Sequence, residues 1–189
     1  CIAFYGFSQG QNSSSKCHRS TEGTEFWFGF MQGRSSSSNH FVQITVTSRV
    51  NAGFSIYIGK SAVAAYTQTV TANSAKTITL DYSQVEPTVS ESVLDMGIHL
   101  VSDNPVNVYA YNHDNNSSDV AVMYPVESLG TTYYAMCYTP YVSSSPVSRN
   151  SEFVIVAAHN NTKINITPSA LTDKGNAANK IFMVTLNKG

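Results

Sequence analysis

At 189 residues and 42% hydrophobic, the chain is long enough to bury one large core or two modest ones. Only 12% of residues are charged and the net charge is −1. That excludes the basic stripe a nucleic-acid binder needs against phosphate and the polybasic patch that holds a protein on an anionic membrane. No apolar stretch approaches the ~18 residues of a membrane span.

The chain opens on apolar Cys1-Ile2-Ala3-Phe4-Tyr5-Gly6-Phe7, with Gly6 and Ser8 at the −3 and −1 positions of a cut before Gln9. Residues 1–8 therefore read as the tail of a signal peptide, the alternative being an ordinary first strand. Residues 9–22 are polar and read as a leader. Residues 24–31 are aromatic and strand-forming. Residues 41–48 alternate, with Val42, Ile44 and Val46 on one side and Gln43, Thr45 and Thr47 on the other, the pattern of a half-buried strand. Phe54, Ile56 and Ile58 repeat it after the Asn51-Ala52-Gly53 turn. Strands are predicted within 62–70 and over 75–81, followed by a long acidic loop over 82–95. Residues 97–102 and 106–112 flank Asp103-Asn104-Pro105, which has turn composition. Further strands are predicted over 133–138, 152–158, 162–167 and 180–186. A sustained 3.6-residue apolar period is missing, so the chain reads as all-β, an antiparallel sandwich. Its core is expected to contain Trp27, Phe28 or Phe30, Val42, Ile44, Val46, Phe54, Ile56, Leu80, Ile98, Leu100 and Val108.

The sequence also matches itself. Gly23-Thr24-Glu25-Phe26-Trp27-Phe28, Phe54-Ser55-Ile56-Tyr57 and Thr77-Ile78-Thr79-Leu80 return in order as Gly130-Thr131-Thr132-Tyr133-Tyr134-Ala135, Ile164-Asn165-Ile166-Thr167 and Met183-Val184-Thr185-Leu186. The offset stays within 106–110 residues. This predicts sandwich modules in tandem: a leader over 1–22, a first repeat over 23–129 and the beginning of a second over 130–189. The second copy ends at Gly189 before any counterpart of 97–112, so it reads as truncated in mid-module.

Several of these segments together resemble a known family. They are Gly23-Thr24-Glu25-Phe26-Trp27-Phe28-Gly29-Phe30, Ala72-Asn73-Ser74 with 77–80, Gly97-Ile98-His99-Leu100-Val101-Ser102-Asp103-Asn104-Pro105-Val106-Asn107-Val108-Tyr109, and Pro125-Val126-Glu127-Ser128-Leu129-Gly130-Thr131. Glu152-Phe153-Val154-Ile155-Val156-Ala157 and 162–168 complete the set. In this order they resemble the N-terminal domain family of the IgG Fc-binding protein, which also occurs in large secreted bacterial surface proteins. The similarity spans about 20–189. The resemblance implies a secreted or cell-surface, non-enzymatic, β-rich module that binds an extracellular protein or glycan. It carries over no ligand motif and implies no cofactor. The alternative is a carbohydrate-binding module or the non-catalytic part of a secreted polysaccharide hydrolase.

The search for chemistry agrees with a non-catalytic reading. Of the carboxylates Glu25, Asp81, Glu86, Glu91 and Asp95, four lie on one loop, where charge is ordinarily solvated. The five histidines (His18, His40, His99, His113, His159) have no metal-ligand spacing. Ser128 lies in Glu-Ser-Leu-Gly, which is no nucleophile elbow. The SxxK match at Ser13 sits in a serine run. Asp114, Asn116 and Asp119 place oxygens at alternate positions, as in a Ca²⁺ loop, but without the central Gly and distal Glu, so Asx turns compete with ligation. No metal site is assigned. Tyr109 and Tyr111 lie opposite Val106, Val108 and Ala110, and exposed rings serve as ligand or interface anchors. Packing between modules is the competing use. The candidate ligand-binding set is therefore Tyr109, Tyr111, Asp114, Asn116 and Asp119. Cys17 and Cys137 either pair in an oxidising compartment or remain two thiols.

Overall fold

The computed structural model describes residues 4–7, 20–33, 39–115, 117–137 and 150–189. The clearest period-2 alternation becomes strand, as predicted. In β3 (Phe41–Ser48) Val42, Ile44 and Val46 are fully buried while the intervening residues are half-exposed. β4 (Ala52–Ile58) buries Phe54 and Ile56 in the same way. β2 (Gly23–Phe28), β5 (Tyr66–Val70), β6 (Ser74–Leu80), β7 (Ile98–Asp114) and β8 (Ser117–Met123) complete a seven-stranded assembly.

The residues at 103–105 do not reverse the chain, as the turn composition suggested. Ile98 to Asp114 is one strand of 17 residues. Its first half lies between β4 and β2, with Ile98 opposite both Ile58 and Phe28. Its second half lies between β3 and β8, with Ala110 opposite both Ile44 and Ala121. β7 thus belongs to two antiparallel layers, β5-β4-β7-β2 and β6-β3-β7-β8, and crosses from one to the other at 103–106. Side-chain hydrogen bonds at this crossing are consistent with strand continuing where a turn was expected. Asp103 Oδ1 accepts from Gly53 N at 2.8 Å, Asn104 Nδ2 donates to the Asn51 carbonyl, and Ser48 Oγ donates to the Pro105 carbonyl. Pro105 lacks an N–H, so it suits a point where ladder pairing is interrupted.

The layers close over one core of Phe26, Phe28, Phe30, Val42, Ile44, Val46, Phe54, Ile56, Val70, Ile78, Leu80, Val85, Ile98, Leu100, Val106, Val108, Ala110 and Met123. Every expected core residue is buried, and both Phe28 and Phe30 enter. Trp27 is buried too, but on the other side of β2, where it packs with Val156 and Ala158. β2 is thus covered on both faces.

The remainder is different. β9 (Val154–Ala157) pairs in parallel with β1 (Phe4–Phe7), so at least four of residues 1–8 form a strand. β10 (Thr162–Ile166) and β11 (Phe182–Leu186) form a two-stranded antiparallel hairpin. Residues 133–137 form no strand, contrary to expectation; Tyr138 lies outside the described residues. Strand propensity needs a partner edge, and here Gly130 N–H donates instead to Tyr133 Oη at 2.7 Å while Tyr134 and Met136 stand 82% exposed. Nor does pairing follow the internal match. β10 and β11, the counterparts of β4 and β6, pair with each other, whereas β4 pairs with β5 and β7, and β6 with β3. Among the described residues no helix is long and apolar enough to cross a membrane.

Candidate functional site

The outward positions of β6-β3-β7-β8 form a flat face built by register. Thr77, Thr45, Tyr109 and Val122 make one row; Thr79, Gln43, Tyr111 and Val120 make the next. Phe41, His113 and Ser118 extend it toward the β7–β8 turn. As predicted, Tyr109 and Tyr111 lie opposite the buried Val106, Val108 and Ala110. Gln43 Nε2 donates to Thr79 Oγ1 at 3.0 Å and the Thr45 and Thr77 hydroxyls bond at 2.9 Å, which fixes the polar side chains beside the rings. Tyr111 Oη lies 3.1 Å from His113 Nδ1, which is 2.7 Å from Ser118 Oγ, and Phe41 packs on both rings. Val120 and Val122 are 66% and 40% exposed. None of these positions carries a carboxylate, Lys or Arg, so the chemistry the face offers is stacking, apolar contact and neutral hydrogen bonding.

Asp114 and Asp119 of the expected ligand set do not join the rings. Asp114 is buried, because it falls on the inward parity of β7 and its position pairs with Ser117 across a two-residue connection. Asp114 and Asp119 thus stand on the two paired strands of a hairpin. Asp119 is exposed, and Asn116 lies outside the described residues. Among the described residues no group of three or more His, Cys, Asp or Glu converges as a metal site does. Cys17 also lies outside the described residues; Cys137 is a free thiol whose Sγ lies 3.5 Å from the Glu152 carbonyl.

The carboxylates were expected to be solvated, and one is not. Glu86 is 3% exposed, with Oε2 2.9 Å from His40 Nε2 and Oε1 accepting from Asn112 Nδ2 at 2.7 Å. Gly33 N–H also donates to it. Asn112 in turn donates to the Met31 carbonyl, so this buried knot ties residues 31–33, 40 and 86 to β7. Loop composition alone gave no signal of it; the adjoining Val85, 0% exposed, was the available hint that this turn enters the core. Asp81 caps a 3-10 turn (Tyr82–Gln84) through Ser83 N, and Asp95 pairs with Lys60.

On the opposite layer, Trp27 stacks on His99 with ring centres 3.9 Å apart and planes 8° from parallel. Glu25 Oε1 accepts from Trp27 Nε1 at 3.1 Å and lies 3.0 Å from His99 Nε2. Burial pushes the His99 imidazole below its ordinary value, partly opposed by Glu25 and assisted by Lys188. The five carboxylates thus point to separate partners.

Residues 119–189 match the model of the IgGFc binding protein family. The match begins inside β8, the strand that completes the tyrosine face, and runs through β9, β10 and β11. It takes in the 125–131, 152–157 and 162–168 segments of the sequence resemblance. No curated protein and no solved structure matches the chain.

Proposed function

We propose that the protein is a non-catalytic extracellular module, secreted or displayed on a cell surface, that binds a protein partner through the outer face of β6-β3-β7-β8. The observation that carries this reading is the face itself: Tyr109 and Tyr111 held in an uncharged ladder of Thr and Gln beside exposed Val120 and Val122. Rigid rings on a preformed sheet lose little conformational entropy on binding, and aromatic anchors dominate interface energetics. The family match, which starts on the rim strand of this face, supports a protein-binding role in an adhesive setting, with immunoglobulin Fc as the first ligand to test. Glycan binding is the second reading, favoured by the hydroxyl and amide groups flanking the rings.

The decisive experiment presents the protein to immunoglobulin Fc, a glycan array and intact cells, beside the Tyr109→Ala/Tyr111→Ala double variant. Any binding should fall at least about tenfold in the variant, as for loss of anchor rings. Unchanged binding removes the face as the site. Hydrolytic turnover lost on mutating Asp81 or Glu91 would overturn the non-catalytic reading.

A further inference from the structure

The connection between β10 and β11 contains a turn organised around an anion. Thr172 N donates to the Asn176 carbonyl at 3.0 Å, Gly175 N to the Thr172 carbonyl at 3.0 Å, and Asn176 N to Thr172 Oγ1 at 3.0 Å. Gly175 takes a left-handed φ of 88°, which only glycine adopts readily. With the Thr172 and Asn176 carbonyls bonded within the turn, the Lys174 N–H and the Asn176 side-chain amide point outward at one place, the geometry by which turns make anion-binding concavities. Glu91 fills that point. Lys174 N donates to Oε1 at 2.8 Å and Asn176 Nδ2 to Oε2 at 2.6 Å, while Lys174 Nζ reaches the Glu91 carbonyl and Ser92 Oγ at 3.0 Å. On its own side Glu91 sits at φ 47°, a conformation non-glycine residues adopt rarely and at some cost. The two ends of this contact are 83 and 85 residues apart in sequence, and they join the acidic loop of the sandwich to the hairpin.

We propose that the 172–176 turn is a carboxylate-binding site whose resident ligand is Glu91, and that its occupancy fastens the β10–β11 hairpin to the sandwich as a reversible clasp. The chemistry is specific to an ionised carboxylate: both oxygens face donors, so a protonated or amide side chain sets donor against donor. In keeping with this, the Lys174 backbone N–H first, then the Thr172 hydroxyl, the Asn176 amide and the Lys174 charge, hold the Glu91 carboxyl below its ordinary range. Lys174 is the charged group in contact with it; Asp173 adjoins it in the turn, Glu86 is buried against His40, and Asp95 is paired with Lys60. The site is open to solvent, so screening keeps the clasp weak enough to release. The clasp is complete above the ordinary carboxyl value and opens as pH falls through the lowered one. It is independent of the tyrosine face.

Amide exchange in the whole chain tests it. Glu91→Gln, which keeps the size and loses the charge, should speed exchange across β10 and β11 about two- to fivefold at neutral pH, the scale of an exposed charged contact. Exchange across β3 and β7 should not change, which verifies that the sandwich is folded. In Glu91→Ala, added sodium acetate should shift the Lys174 amide resonance and restore the slower exchange, with sodium chloride at equal ionic strength doing neither. Unchanged hairpin exchange in Glu91→Gln would overturn the clasp. An acetate response equal in wild type and Glu91→Ala, or missing from both, would overturn the binding site.

Discussion

The sandwich and the hairpin region use the same strand vocabulary with opposite success. Between β2 and β8, every strand pairs within one of two facing layers, β3, β4 and β7 along both edges, and twelve apolar residues reach zero exposure. In β10–β11 the alternation is as clean, yet Ile164 alone of its apolar residues is buried, and Ile181 and Met183 stand 71% and 60% exposed. A two-stranded ribbon has no second layer to cover its apolar face, so pattern without a partner stabilises little. The second region is held to the first by discrete contacts instead: Trp27 against Val156 and Ala158, Gly189 against Gly97, and the Glu91 clasp.

The widest separation between the regions should come from matched truncations. Ile44→Ala should cost about 2–5 kcal/mol, the usual cost of a cavity in a packed core. Ile164→Ala, in the thin ribbon, should cost clearly less. Denaturant midpoints for both variants check this, and equal losses would mean that the two regions share one cooperative core. Next is the buried knot. Glu86→Ala strands the buried His40 Nε2 and removes one of the two acceptors of the Asn112 amide, and should destabilise the sandwich by about 1–3 kcal/mol. Thermal melts of Glu86→Ala and a His40→Ala/Glu86→Ala double variant should show the second change adding little.

The smallest effect is that of His99. Its folded-state value lies below the ordinary 6.5, so the unfolded chain takes up a proton first as pH falls. The contribution is therefore full above that ordinary value and is lost as pH drops from it toward the lowered one. Stability measured from pH 8 to 5 should decline through this window in the wild type and decline less in His99→Gln. Identical slopes would show that the Trp27–His99 stack carries no proton linkage.

The period-2 signal made the core of β3, β4 and β7 legible, and with it the outward placement of Tyr109 and Tyr111. Parity along a strand depends on neighbours two residues away, which the sequence displays. The continuity of β7 was hidden because Asp103-Asn104-Pro105 has the composition of a turn, and its long-range partners, Asn51, Gly53 and Ser48, lie some fifty residues earlier. Glu86 and Glu91 were hidden for the same reason. Whether a loop carboxylate is solvated or engaged is decided by partners 46 and 83 residues distant, His40 and Lys174. The internal match found β10 and β11 but not their pairing, and its remaining segment, 130–135, forms no strand, since similar alternation recurs in any half-buried strand.

The double membership of β7 has a consequence for how the chain comes together during synthesis. β2, β3 and β4 all hydrogen-bond to β7, yet it emerges after all three. Until residues 98–114 leave the ribosome, only the β4–β5 and β3–β6 ladders can form, as separate ribbons without a common spine. The strand that joins the others is made after all of them but β8. Closure of both layers therefore follows as a single late event, and up to that moment the nascent chain carries its apolar half-sheets exposed, which is the interval in which a chaperone or a matching edge from another chain has access to them.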